Sequence, residues 1–321
     1  MGSHKMKFLL AVDGSKQSFE AVRYVSQALR SKRVEVVLFH VMTKIPESFW
    51  DIEKSPTFRH TSAPVVAWAS QQERVIEEFM ERSRQLFVDR IIPEERVTVK
   101  IQEREVGVAR DIVREAQNGY DAVVVGRWGM SKLKDLVWGS IANKLVGHLD
   151  HVPLWVVGGT PHTDKLLVAI DNSAEAMRVV DYVGAMLAGT KRRIELFHVL
   201  RDSGLLSAGD EDDFIYSDEI AKFGDVKDDF ERAEEAIQEV FTEAFGRLEK
   251  LGFSRDQVTT TIVTGASSRA KAIVEEAKAG GYGTIVVGRR GLSRVEEFFM
   301  GRVSNKVIQL AKEMAVWVVS Y

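Results

Sequence analysis

Gly126-Arg127-Trp128-Gly129, a gap of nine residues, then Gly139-Ser140: this stretch decides the fold because the chain writes it twice. The second copy reads Gly288-Arg289-Arg290-Gly291, nine residues, then Gly301-Arg302. Each copy follows a short aliphatic run, residues 122–125 and 284–287, and leads into a stretch with helical character, residues 140–149 and 302–312. A strand, a glycine turn and a helix in that order leave backbone N–H groups pointing outward, where an anion can accept from them. The pattern predicts a duplicated phosphate-binding fold.

The duplication extends outward from the glycines. Leu10-Ala-Val-Asp13-Gly-Ser15 returns as Val168-Ala-Ile-Asp171-Asn-Ser173, and Leu38-Phe-His40-Val41 returns as Leu196-Phe-His198-Val199, both at an offset of 158. From Gly126/Gly288 through Trp155/Trp317 the offset is 162, so four residues entered between the matched blocks. If Gly107 is paired with Gly265, the insertion falls between that glycine and the following strand. The expected modules are residues 6–158 and 164–321, each about half of a 321-residue chain. A domain of that size buries roughly 70% of its unfolded surface and holds its own core.

Composition narrows the function. The formal net charge of −3 offers no overall attraction to nucleic acid, whose binding relies on clustered Lys and Arg. No apolar run approaches the ~18 residues of a membrane span, and no signal peptide is read before the first strand. Zero cysteines exclude disulfides and thiolate metal sites and fit a reducing compartment, so a cytoplasmic protein is expected.

Strands are expected at residues 7–12, 34–41, 97–102, 122–125 and 154–157, with helices beginning near Phe19, at 71–87, at 109–117 and from Ser140. Continuous aliphatic strands alternating with helices predict an α/β module: an open, mostly parallel five-stranded sheet with helices on both faces. The second module repeats the order. Residues 42–69 and 201–225 read as long connections after the second strand of each module, either partner surfaces or variable loops.

In such a sheet ligands sit beyond the carboxyl ends of the strands, where the strand order reverses. Asp13, His40-Val41 and Gly126 fall at strand ends, as do Asp171, His198-Val199 and Gly288. A carboxylate there accepts from a ribose hydroxyl or an adenine amine, and exposed backbone beside Val41 or Val199 can pair with a purine edge. Ser140 adds a hydroxyl where the helix dipole favours negative charge. Each N–H donated to a phosphate contributes about 1.5–3 kcal/mol, so a handful supports micromolar affinity, about −8 kcal/mol. His40 and His198 read as strand-end packing residues rather than ligands, and no metal-ligand spacing is found.

The set Asp13, Gly126, Gly129, Gly139 and Ser140 resembles the nucleotide signature of the universal stress protein (UspA) family, Gly-x2-Gly-x9-Gly-(Ser/Thr) preceded by an aspartate. Asp171, Gly288, Gly291 and Gly301 resemble it in the second copy, so the chain is similar to a tandem member of that family over nearly its whole length. The resemblance implies a Rossmann-like fold of the adenine nucleotide alpha hydrolase type. It also implies an intrachain pseudo-dimer of the two modules, with homodimers a further option. The implied ligand is ATP, or AMP or ADP, with magnesium on the phosphates. Adenine would lie near Val41 or Val199, ribose near Asp13 or Asp171, and phosphate on the glycine turns with Arg127 and Arg289 inside them. The second copy departs by placing Arg302 where the signature has Ser or Thr, with Ser304 returning a hydroxyl two residues on. Arg289, Arg290 and Arg302 are candidate charge-assisted phosphate ligands.

A stress-response or regulatory module that changes conformation with bound nucleotide is the expected function. The alternatives are a slow ATPase or nucleotidyl transferase on the same fold, and an interaction scaffold with degenerate sites and a protein partner. The absence of a Walker Gly-Lys-Ser/Thr and of a carboxylate cluster at the glycine turn argues that any hydrolysis is slow.

Overall fold

A computed structural model describes residues 5–29, 33–43, 62–90, 92–129, 139–173, 175–200, 226–290 and 300–320. The chain divides into two compact units that part between Thr160 and Pro161.

The first unit runs β1 (Met6–Ala11), α1 (Lys16–Ala28), β2 (Val34–Met42), α2 (Ser62–Val88), β3 (Val97–Glu103), α3 (Val108–Ala116), β4 (Ala122–Gly126), α4 (Ser140–His148) and β5 (Leu154–Val157). Its sheet order is β3-β2-β1-β4-β5, with every neighbouring pair parallel. The chain steps outward from β1 to β2 and β3, then returns to the other side of β1 for β4 and β5. Strand order therefore reverses between β1 and β4, and the ends of those two strands bound the crevice where such folds bind ligands. Phe8, Leu9, Leu10, Val123, Val124 and Trp155 are buried, as the continuous aliphatic strands of a sheet covered on both faces require. Trp155 packs against Phe8 at 5.4 Å and edge-on against Tyr24 of α1 at 6.3 Å between ring centroids. That clamps the first helix over the last strand.

The second unit repeats the plan: β6 (Lys165–Ala169), α5 (Ala176–Leu187), β7 (Arg193–Val199), α6 (Val226–Lys250), β8 (Val258–Val263), α7 (Arg269–Ala279), β9 (Thr284–Gly288), α8 (Arg302–Leu310) and β10 (Ala315–Val319). The order is β10-β9-β6-β7-β8, again parallel throughout. Tyr182 of α5 meets Trp317 edge-on at 6.3 Å, as Tyr24 meets Trp155.

Sheet register moves the insertion. Val36 of β2 pairs with Val97, and Ile194 of β7 pairs with Val258, so β3 and β8 already match at an offset of 161. The buried face of α2, Ile76, Met80, Ser83 and Phe87, matches Ile237, Phe241, Ala244 and Leu248 of α6 at the same offset, of which all but Ala244 are large and apolar in that helix. Three of the four added residues therefore lie between β7 and this face of α6, and one lies between α7 and β9. The partner of Gly107, the N-cap of α3, is Ser268, the N-cap of α7, and not Gly265. Gly265 instead takes a left-handed φ of 69° in the turn before that cap. A second difference concerns α2, which begins at Ser62, nine residues before the expected start, so part of the long connection is helix. Pro64 falls in its first turn, where the missing N–H costs no helical bond. The acidic run at 210–213 and most of both long connections lie outside the described residues.

Candidate functional site

The first unit gathers its expected residues at the β1–β4 crevice. Asp13 ends the β1 segment, half-buried, and its Oδ1 accepts from the Ser15 N–H at 3.0 Å. Ser15 caps α1, its hydroxyl accepting from the Ser18 N–H at 3.1 Å. On one side stands β2, where buried Val41 is in register with Gln102. On the other stands β4, whose last residue, Gly126, faces the backbone of Gln17 and Ser18 so closely that a Cβ would lie 3.1 Å from it. A Cβ on Gly129 would lie 2.6 Å from Asp13 Oδ2. The carboxylate after the first strand and the exposed turn after the fourth are therefore immediate neighbours.

The mouth of the glycine phrase is closed by its own backbone. The Gly139 N–H donates to the Arg127 carbonyl at 2.8 Å, and the Arg127 N–H donates to Val157 at 2.8 Å. A Cβ on Gly139 would lie 2.8 Å from the Arg127 oxygen, so any other residue there forces the backbone to shift. Gly139 is also the N-cap of α4, and the first N–H groups of that helix have no partner within it. Ser140 is exposed on that first turn.

The second unit repeats these contacts with changes. Asp171 Oδ1 accepts from the Ser173 N–H at 3.1 Å and also from the Ser173 hydroxyl. Ser173 thus turns onto the aspartate where Ser15 caps a helix, and α5 starts two residues later than α1. Val199 is buried and in register with Val263. Gly288 ends β9, the Gly301 N–H donates to the Arg289 carbonyl at 2.8 Å, and Arg302 opens α8 exposed. Gly291 lies outside the described residues.

Three of the expected side chains are turned into the fold. Ser304 is buried and its hydroxyl donates to the Gly288 carbonyl at 2.6 Å, so its proton is committed to latching the loop and is not offered to a phosphate. The matched residue in the first unit is Ala142, which makes no such latch. The guanidinium groups of Arg127 and Arg289 are buried as well, 0% and 3% exposed, so what these residues bring to the mouth is the carbonyl that holds Gly139 or Gly301.

His40 and His198 are clamps. Nδ1 of His40 lies 2.8 Å from the Val12 carbonyl, and Nδ1 of His198 lies 2.7 Å from that of Ile170. A carbonyl only accepts, so each imidazole carries its proton on Nδ1 and ties the residue before the aspartate to the next strand. Burial holds both below the usual histidine range; the carbonyl and the nearby aspartate oppose this in each, and Arg269 adds to it at His198. Sequence reading missed Gln17, whose amide donates to Val157 at 3.1 Å and Gly159 at 3.2 Å, and Asp111, whose buried carboxylate accepts from the N–H groups of Glu105, Val106 and Gly107. Only the spacing of Asp111 four residues after Gly107 signalled it. Among the described residues no group of three or more His, Asp or Glu side chains could hold a metal ion, and no helix is long and apolar enough to cross a membrane.

Fold and site define a class: a tandem α/β protein whose two open parallel sheets each carry a glycine-rich turn where the strand order reverses. The chain belongs to the universal stress protein family, whose sequence model matches it twice, over residues 6–158 and 162–320. Among solved structures it is similar to a universal stress protein from Archaeoglobus fulgidus DSM 4304, at 20% identity over 99% of both chains with a TM-score of 0.62. It is also similar to a functionally unknown protein from Pseudomonas aeruginosa PAO1, at 14% identity over 98% of this chain and 92% of that one with a TM-score of 0.54. No curated protein sequence matches it.

Proposed function

We propose that this protein binds adenine nucleotides, ATP foremost, and works as a regulatory module whose conformation follows the bound nucleotide. The first site comprises Asp13, Val41, Gly126, Gly129, Gly139 and Ser140; the second comprises Asp171, Val199, Gly288, Gly301 and Arg302.

The observation that carries the reading is the approach of Gly129 to Asp13, where a Cβ would stand 2.6 Å from the carboxylate. A ribose hydroxyl held by Asp13 would set its 5′ phosphates directly over the N–H groups of the glycine turn and the first turn of α4. Those groups supply dipoles without a lysine, and magnesium would arrive on the phosphates.

The test is extraction of nucleotide from the purified full chain, followed by calorimetry with ATP. The reading expects an adenine nucleotide in the extract or ATP binding in the micromolar range, weakened at the first site by Asp13→Ala. Failure of ATP, ADP and AMP to bind at either site overturns it.

A further inference from the structure

We infer that the second site is built for a more highly charged, metal-free phosphate tail, whereas the first takes a tail whose charge a magnesium ion has already reduced. This rests on the nucleotide reading above and deepens it.

The register of the two sheets pairs the site edges position by position. Val108, Trp128 and Ser140 of the first unit are matched by Arg269, Arg290 and Arg302 of the second, and all three arginines are exposed. Their placement concerns the carboxyl ends of the second sheet's strands. Gly301 sits so close to Arg290 that a Cβ on it would lie 3.6 Å from the Arg290 Cα, and Arg302 is the next residue. The two arginines thus flank the mouth of the glycine phrase. Arg269 opens α7 after β8, and its charge acts on His198 at the end of β7, beside Asp171. The cations therefore bracket the site from the β8 side to the β9 side.

Carboxylates are exchanged in the same direction. Asp111, which fills the turn before α3, is matched by Ala272, and Glu103 and Glu105 by Thr264 and Ala266. Lys16, Arg104 and Arg114, the last paired with Glu105, run the other way, matched by Ala174, Gly265 and Glu275, and Gln17 is matched by Glu175. Asp13 with Arg127 and Asp171 with Arg289 cancel in both units. Leaving aside the nine-residue excursions, these positions sum to 0 at the first site and +1 at the second.

A rim without net charge offers an ionised triphosphate no countercharge and favours one that carries its own cation. A rim of three guanidinium groups supplies that countercharge itself, in planar forks suited to phosphate oxygens, so a metal on the tail competes with it. The Ser304 latch fits this division, because it ties α8 to the end of β9 without help from a ligand.

The experiment uses the full chain carrying Gly129→Val to silence the first site, and Asp171→Ala to silence the second. Calorimetry is run with AMP, ADP and ATP, each in EDTA and in excess magnesium. At the second site, affinity should rise on the order of tenfold with each added phosphate in EDTA, and magnesium should weaken ATP binding. At the first site magnesium should strengthen it. Exchanging Arg269→Val, Arg290→Ser and Arg302→Ser together should flatten the ladder to within about threefold, with circular dichroism confirming an unchanged fold. Should the triple variant unfold, Arg290→Ser and Arg302→Ser singly must each lower the slope. Equal ladders at the two sites, or a ladder that survives the exchanges, overturn the inference alone. No binding at the second site while the first binds overturns it and leaves the first site standing, and no binding at either overturns both readings.

Discussion

Replacing Gly129 by alanine adds one carbon atom, and the geometry says where it goes. It would stand 2.6 Å from Asp13 Oδ2 and 3.7 Å from its Cγ. The first distance is well inside the about 3.5 Å at which nonbonded heavy atoms rest. The carboxylate cannot swing aside freely, because Oδ1 holds the Ser15 N–H at 3.0 Å. Relief comes either by turning Asp13 off Ser15 or by moving the turn outward, and both separate the acceptor from the phosphate cradle. Losing one charge-assisted hydrogen bond to ligand costs about 1.5–3 kcal/mol, so ATP affinity at the first site should fall on the order of 10- to 100-fold. Stability should hardly change, since residue 129 is exposed and its φ is not left-handed. Calorimetry of Gly129→Ala, Asp13→Ala and the double variant separates this mechanism from generic loop damage. With Asp13 truncated the added methyl has nothing to strike, so the second substitution should cost little on top of the first. Full additivity of the two losses would refute the steric argument.

Gly139→Ala and Gly301→Ala make a matched pair, because both residues have φ near −62° and ψ near 143°. A Cβ would lie 2.8 Å from the Arg127 carbonyl in one and 3.3 Å from the Arg289 carbonyl in the other. Urea denaturation should find Gly139→Ala destabilising by about 1–3 kcal/mol and Gly301→Ala by clearly less. Ser304→Ala removes the latch to Gly288 and should cost about 1 kcal/mol in the same assay. Buried Glu195 is held above the usual carboxylate range, first by burial and also by Glu276, against a Thr261 hydrogen bond and the charge of Lys165. A raised carboxyl contributes stability that is full below its unfolded value and lost as pH rises through the folded one. Thermal melts of Glu195→Gln should therefore exceed wild type at pH 8 and converge with it near pH 4; an equal difference at both pH values would rule out titration of Glu195 as the cause.

Much of this was legible in the residues. The aliphatic runs before each glycine phrase specify buried parallel strands, and the phrase itself needs glycine at 129 and 139 for reasons of contact that a repeat makes visible. What sequence could not give was register. Gly107 and Gly265 share an identity and a nearly correct offset, yet strand pairing matches Gly107 with Ser268, since three of the four added residues precede β8. Burial was equally hidden. Ser304 and Arg289 look like ligands in a string of letters because hydroxyls and guanidinium groups bind phosphate, but each side chain is turned into the fold. His40 read as a strand-end packing residue, but the partner that fixes it, the Val12 carbonyl, lies 28 residues away.

The duplication makes each unit the control for the other. Backbone angles at Gly139 and Gly301 agree within 2°, the two histidine clamps agree within 0.1 Å, and both mouth hydrogen bonds are 2.8 Å. The scaffold that would orient a nucleotide has therefore been held, while the residues around it have changed: a serine that caps α1 turns onto its aspartate, an alanine becomes a latch, and three uncharged rim positions become arginine. All three guanidinium groups lie at exposed positions around the second site. Their shared location at the carboxyl ends of the strands is the property that a ligand, and not the core, can sense.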